Sequence, residues 1–236
     1  MMKLRSWLTS LSLVLVCGTT QADTGIDKYI KIFTNGTSMQ QRSAVKEFPY
    51  TGLSDPKLFD LVEQRLIEIY PTATSKNEME TASWLAKGLA YSGQEKYRAT
   101  LQQIATEAKS SKVRKYAAKA LIDLDRFIAW NPVINDTSTE NPEISERYNQ
   151  YANMLRSNIY ELKRVGAKKV FYERITNEYL IDIVQQQIEE NYQVITKDKL
   201  QIDTLSWLCK GLAATTLPQY ISTVRRQTNG TDEHLI

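Results

Sequence analysis

The chain has 236 residues, with 30 lysines and arginines against 27 aspartates and glutamates, a formal net charge of +3. That is long enough for one elongated or two compact domains, and 42% apolar with 24% charged residues is the make-up of an ordinary soluble protein. Charges this nearly balanced leave no electrostatic footprint for nucleic acid, and one histidine excludes a His-rich zinc or copper site.

Nine glycines and six prolines are few, while alanine, leucine, glutamine, glutamate and lysine are common, which favours helix over strand. Residues 1–22 read as a secretory signal peptide: Lys3 and Arg5 begin it, Leu8 to Val16 form its apolar core, and Thr20-Gln21-Ala22 offers small residues for cleavage between Ala22 and Asp23. The apolar run is shorter than the roughly 20 residues a membrane span needs. A lipoprotein signal would use Cys17, but Val16 stands where that site wants a small residue. Cleavage removes Lys3 and Arg5 and no acid, leaving 28 basic side chains against 27 acidic ones. Cys209 is then the only cysteine, so no internal disulfide forms, and it reads as a small core residue. The expected location is the periplasm or outside the cell, with no membrane-spanning segment.

From Asp23 onward apolar residues recur three and four apart, the helical period. Ile26, Tyr29, Ile30 and Phe33 predict a first helix, ended by Asn35-Gly36. Met39, Ala44, Val45 and Phe48 predict a second, stopped by Pro49. Asp55-Pro56 opens a third, with a capping side chain and then proline at the first helical position. Its core face is Leu58, Leu61, Val62, Leu66 and Ile69. A fourth runs from about Asn77 to Tyr91, before Ser92-Gly93. The fifth presents Tyr97, Leu101, Ile104 and Ala108. The sixth, Lys112 to about Ile128, presents Val113, Tyr116, Ala117, Ala120, Leu121 and Leu124. No run alternates with period two. Asn131 to Pro142 has two Asn-Pro pairs around Asp-Thr-Ser-Thr and reads as a linker.

After it the series restarts. Thr81-Ala-Ser-Trp-Leu-Ala-Lys-Gly-Leu-Ala90 returns as Thr204-Leu-Ser-Trp-Leu-Cys-Lys-Gly-Leu-Ala213, with 8 of 10 positions identical at an offset of 123. Upstream the offset is 122: Arg42, Lys46 and Tyr50 return as Arg164, Lys168 and Tyr172, and Asp60 and Glu68 as Asp182 and Glu190. Tyr97 returns as Tyr220. This predicts an all-α protein of two duplicated arms: signal peptide 1–22, first arm 23–128, linker 129–143, second arm 144–236. Ile236 falls where the first arm has Val113, so the second arm is expected to lack its last helix, with an apolar patch open to association at that end.

Val113-Arg114-Lys-Tyr-Ala117-Ala-Lys-Ala120-Leu121 resembles the second helix of a HEAT repeat. The resemblance covers one helix well, and elsewhere only the rhythm of paired helices agrees. It implies an α-solenoid of antiparallel helix hairpins whose role is protein binding without catalysis.

Within the repeated segment, Ala82, Leu85, Ala86 and Leu89 share one helix face, while Trp84, Lys87 and Tyr91 lie nearly opposite. In the second copy Trp207 and Lys210 lie opposite Leu205, Leu208, Cys209 and Leu212. These five, Trp84, Lys87, Tyr91, Trp207 and Lys210, are the candidate partner-binding residues; packing is the competing reading. Gly88 and Gly211, four residues after each tryptophan, predict a neighbouring element pressed close there, with the indole over the gap. No catalytic constellation, phosphate loop or cofactor fingerprint occurs. The recurring carboxylates read as solvated faces, as do the basic clusters Lys109–Lys119 and Lys163–Lys169. Asn-X-Thr sequons begin at Asn35, Asn135 and Asn229 and matter only in a glycosylating host. The expected function is non-catalytic protein binding or scaffolding, with no metal or cofactor. One alternative is an inhibitor or immunity-type protein that blocks another protein's active site. The other is a carboxylate enzyme with a polar cleft between the arms.

Overall fold

The computed structural model describes residues 25–192 and 198–220. The expected signal peptide with Cys17, His234, the Asn229 sequon and the expected open end at Ile236 lie outside the described residues. Within them the protein is all-α: α1 (Asp27–Asn35), α2 (Ser38–Glu47), α3 (Pro56–Ile69), α4 (Lys76–Tyr91), a 3-10 turn (Glu95–Tyr97), α5 (Arg98–Glu107), α6 (Ser111–Ile134), α7 (Glu146–Arg156), α8 (Tyr160–Tyr172), α9 (Glu178–Tyr192) and α10 (Lys199–Ala214). No strand occurs among the described residues. No helix among them is long and apolar enough to cross a membrane.

Local chemistry sets the starts of these helices. Thr37 and Ser75 each accept a hydrogen bond from the backbone three residues on, and Gln40 and Glu78 reach back to complete capping boxes. Asp55 accepts from Lys57 N ahead of Pro56, and Asp198 from Leu200 N and Gln201 N. Most of the helices then bury the greater part of the face their spacing predicts. Leu58, Val62 and Leu66 of α3 and Ala82, Leu85, Ala86 and Leu89 of α4 are wholly buried, as are Val113, Ala117, Ala120 and Leu124 of α6. Met39 does not join its expected face: it is 69% exposed, and Gln41 is buried instead.

α4 lies between α2 and α6, α10 lies against α8, and α1 and α7 pack on α3 and α9. Two apolar clusters result, and they divide on α6. Every buried apolar residue up to Leu124 belongs to the first; Phe127, Trp130 and Ile134 belong to the second, against which Tyr50 and Tyr91 also pack.

α6 is also where the linker reading needs correction. The helix continues past Ile128 through Asn131-Pro132 to Ile134. Proline inside a helix forfeits one backbone hydrogen bond and costs about 3 kcal/mol. Burying Phe127, Trp130 and Ile134 offsets this, at roughly 1.5–3 kcal/mol for each large apolar side chain.

Four asparagines and a glutamine pin the junction. Asn131 Nδ2 donates to Tyr91 O (3.0 Å) and Ser92 O (2.9 Å), and Asn135 Nδ2 to Gly52 O (2.7 Å). Asn153 Nδ2 donates to Ile134 O and Asp136 O, Asn149 exchanges bonds with the Asn141 backbone, and Gln150 donates to Thr51 O. Asn135 is therefore engaged within the fold through its amide, although it is exposed, as is Asn35.

Local features recur at the sequence offsets. Gly52 (φ +68°) and Arg174 (φ +51°) occupy the left-handed region 122 residues apart, and Gly93 (φ +62°) and Thr216 (φ +56°) do so 123 apart. Ser92 Oγ donates to Leu89 O as Thr215 Oγ1 donates to Leu212 O. Buried Tyr97 donates its hydroxyl to Asp60 (2.8 Å), as Tyr220 does to Asp182 (2.6 Å). The recurring aspartates are thus acceptors for recurring tyrosines rather than merely solvated.

Candidate binding face

The glycines of the repeated segment are the starting point. A Cβ on Gly88 would stand 3.1 and 3.3 Å from the Val45 methyl groups of α2. One on Gly211 would stand 3.4 Å from Val170 Cγ1 and 3.5 Å from Ala167 O of α8. At Gly88 the adjoining helix presses close, as the spacing predicts; at Gly211 a Cβ would meet only ordinary contacts, so the close approach expected there is not found. The residue after Val45 is Lys46, and the residue after Ala167 is Lys168. The helix packed beside each glycine therefore delivers a lysine to the indole one turn earlier.

Trp84 has Lys87 Nζ at 4.7 Å and Lys46 Nζ at 5.3 Å from its ring. Trp207 has Lys210 Nζ at 4.5 Å and Lys168 Nζ at 4.9 Å. Lys87 and Lys210 each follow their tryptophan by three residues, which places them on the same side of the helix. An ammonium over an indole gains about 0.5–1 kcal/mol when exposed.

Among the described residues, none of the four lysines has a carboxylate within 4 Å, whereas neighbouring cations do: Lys112 with Glu80 (3.8 Å) and Arg164 with Asp203 (2.8 Å). Arg42 is held by neutral oxygens, Asn77 Oδ1 (2.6 Å) and Thr81 Oγ1 (2.9 Å).

The surroundings of the two indoles differ. Beside Trp84 a groove of about 300 Å³ is lined by Glu80, Ser83, Trp84, Lys87, Lys112 and Tyr116, with Lys87 also 5.1 Å from the Tyr116 ring. Beside Trp207 lie Phe171 and Tyr172, each with its ring centre 5.6 Å away, and Tyr172 is 67% exposed.

Of the five residues singled out from sequence, the structure brings Trp84 together with Lys87 and Trp207 together with Lys210. Tyr91 is elsewhere. Its ring meets Phe127 edge-on at 5.0 Å in a junction cluster with Tyr50 and Trp130. Burial there pushes its phenol up to about 12. Sequence reasoning missed Lys46, Lys168, Tyr116, Phe171 and Tyr172 as neighbours of the indoles. Lys46/Lys168 and Tyr50/Tyr172 were visible as recurring positions; Tyr116 and Phe171 carried no such signal.

Reading the basic clusters as solvated faces needs correction in part. Lys163 is 5% exposed; its ammonium donates to Gln187 Oε1 (2.6 Å), and burial lowers its pKa. Arg114 caps α5 through Ala108 O and Lys109 O.

Cys209 is half-buried, not a core residue like Ala86, and burial raises its thiol pKa. The reason is its neighbours: α4 packs against α6 as well as α2 and α3, whereas among the described residues α10 packs mainly against α8 and α9.

A second concavity, of about 260 Å³, lies at the junction, with Asp55, Asp136, Glu140 and Glu146 in its lining. Asp55 caps α3 and Asp136 accepts from Ser138 N, which lowers its pKa, the opposite of what a general acid at neutral pH requires. No group of three or more His, Cys, Asp or Glu able to hold a metal occurs among the described residues.

Compared with protein-family models, curated proteins and solved structures, the chain matches none of them.

Proposed function

We propose that this is a non-catalytic, protein-binding α-solenoid of HEAT-like helix pairs, exported by its signal peptide, whose two duplicated arms present one face to a protein partner. The observation that carries the reading is the recurrence of an indole with two lysines that have no carboxylate within 4 Å among the described residues, one lysine from the same helix and one from the adjoining helix. Packing alone calls for the glycine and the indole; it does not call for ammonium groups without a carboxylate partner among the described residues. The duplication is supported by the matched left-handed residues and matched Tyr–Asp bonds. The uncompensated charge also favours the inhibitor reading, in which a single tight partner has its active site blocked.

The test is affinity capture from the cell-envelope fraction with the mature protein and its Trp84→Ala/Trp207→Ala variant. A partner held by the first and lost by the second, with the melting temperature little changed, is the expected result. Equal capture by both proteins would refute the reading, and so would a variant that unfolds while Lys46→Gln/Lys168→Gln protein captures normally. One-to-one stoichiometry together with loss of the partner's catalytic activity would select the inhibitor reading.

A further inference from the structure

We infer that the partner docks through an acidic, extended protein segment whose carboxylates enter between the paired lysines, and that the Trp207 station is its main anchor. The inference rests on the binding-protein reading above and names the chemistry of the partner.

Charge is the first argument. Lys46 and Lys87 at one indole, and Lys168 and Lys210 at the other, are held by ring contacts and lack carboxylate partners among the described residues. Each pair converges on one ring, so an incoming carboxylate gains two ammonium groups already positioned by the indole. Such preorganisation lowers the entropy lost on binding.

Exposure is the second argument. Tyr172 is one of four large hydrophobic side chains markedly exposed among the described residues, with Met39, Ile67 and Ile122. Of these four it alone stands beside a second aromatic and two lysines. Tyrosine and tryptophan dominate the residues that carry binding energy at protein interfaces. At the other indole the counterpart of Tyr172, Tyr50, is taken up by the junction cluster, and the groove already holds the Glu80–Lys112 pair. The Trp84 station is therefore the weaker of the two.

Nucleic acid fits this surface less well. Its phosphates call for an unbroken basic stripe. Here Glu80 and Asp203 interrupt the lysines, and the whole chain carries only +3.

The experiment uses the mature full-length protein and a glutamate-rich synthetic peptide, with tryptophan fluorescence and calorimetry as readouts. Trp84 and Trp207 are two of the three tryptophans left after residue 22, so binding at either station reports directly. Lys168→Gln/Lys210→Gln should weaken binding about tenfold, ~1.4 kcal/mol, and flatten its salt dependence. Tyr172→Ala should weaken it by a similar factor without changing the salt dependence. Lys46→Gln/Lys87→Gln should cost about threefold, the scale of one exposed cation contact. Thermal melts of all three variants should match the parent; a lysine variant that melts early is replaced by Lys→Arg at the same positions, which should restore binding, and Tyr172→Ala by Tyr172→Ser, which should still weaken it.

The inference is overturned if the peptide does not bind, if the lysine variants bind it as well as the parent, or if duplex DNA or anionic lipid vesicles bind more tightly. A captured partner lost on Trp84→Ala/Trp207→Ala, yet retained at high salt and not displaced by the peptide, would sink the acidic chemistry while leaving the binding-protein reading intact.

Discussion

Tyr50 and Tyr172 stand 122 residues apart in the repeated sequence and end in opposite environments. α2 ends at Glu47, and Tyr50 follows in a left-handed conformation (φ +65°) that aims its ring at Phe127 and Trp130. α8 runs on to Tyr172, whose ring leans over Trp207 and stays exposed. In the first half the end of α6 supplies an aromatic surface that rewards the turn; among the described residues the second half has no such surface. A repeated sequence thus gives repeated local bonds, but a side chain at its margin follows whichever neighbour is present.

The sharpest way to break this comparison is at the left-handed positions. A Cβ on Gly93 would stand 2.5 Å from Phe127 O and 2.8 Å from Asn131 Nδ2, so Gly93→Ala should lose about 3 kcal/mol in denaturant unfolding. Thr216→Gly, at the matching position, should gain about 1 kcal/mol, because a β-branched residue there is strained. Equal effects at the two sites would remove the distinction.

Next comes the junction. Asn131→Ala strips the donor from two carbonyls, Tyr91 O and Ser92 O, and should cost about 2 kcal/mol. A loss under half of that would mean the corner is held by its aromatic rings instead.

Tyr97→Phe and Tyr220→Phe test the similarity rather than the difference, and each should cost about 1 kcal/mol. Asp60 has its pKa lowered by hydrogen bonds from Lys96 and then Tyr97. Its contribution is complete above the ordinary carboxyl value of 3.8 and is lost as pH falls through the lowered folded-state value. The gap between parent and Tyr97→Phe should therefore close on acidification through that window. On the donor side, burial and then the bond to Asp182 push Tyr220 up to about 12, so its hydroxyl stays protonated through neutral pH.

The smallest effect is at the helix glycines. Gly211→Ala meets ordinary contacts and should gain up to about 0.8 kcal/mol of helix propensity; Gly88→Ala crowds Val45 and should gain nothing. Thermal melts of the two variants suffice.

Much of the fold was legible in the sequence because it is local. Asp55-Pro56 marked the start of α3, the three-and-four spacing marked most of the buried faces, and Gly88 marked a close contact. The candidate site was legible in part: each indole and the lysine one turn later lie on one helix, so helical geometry alone joins them. Lys46 and Lys168 join only through a second helix, and Tyr91 leaves because Phe127, 36 residues on, draws it away. The same holds for Asn131-Pro132, which reads as a stop yet lies within α6.

The sequence by itself determined that the protein is helical, where most helices begin, and that residues return at 122 and 123, because caps, periodicity and repetition act over a few positions or are visible as letters. Only the tertiary structure decided that α6 is shared by both cores, that Lys163 is buried, and that two lysines meet each indole. Those outcomes depend on which helix lies against which, and that is set by burial summed over distant parts of the chain.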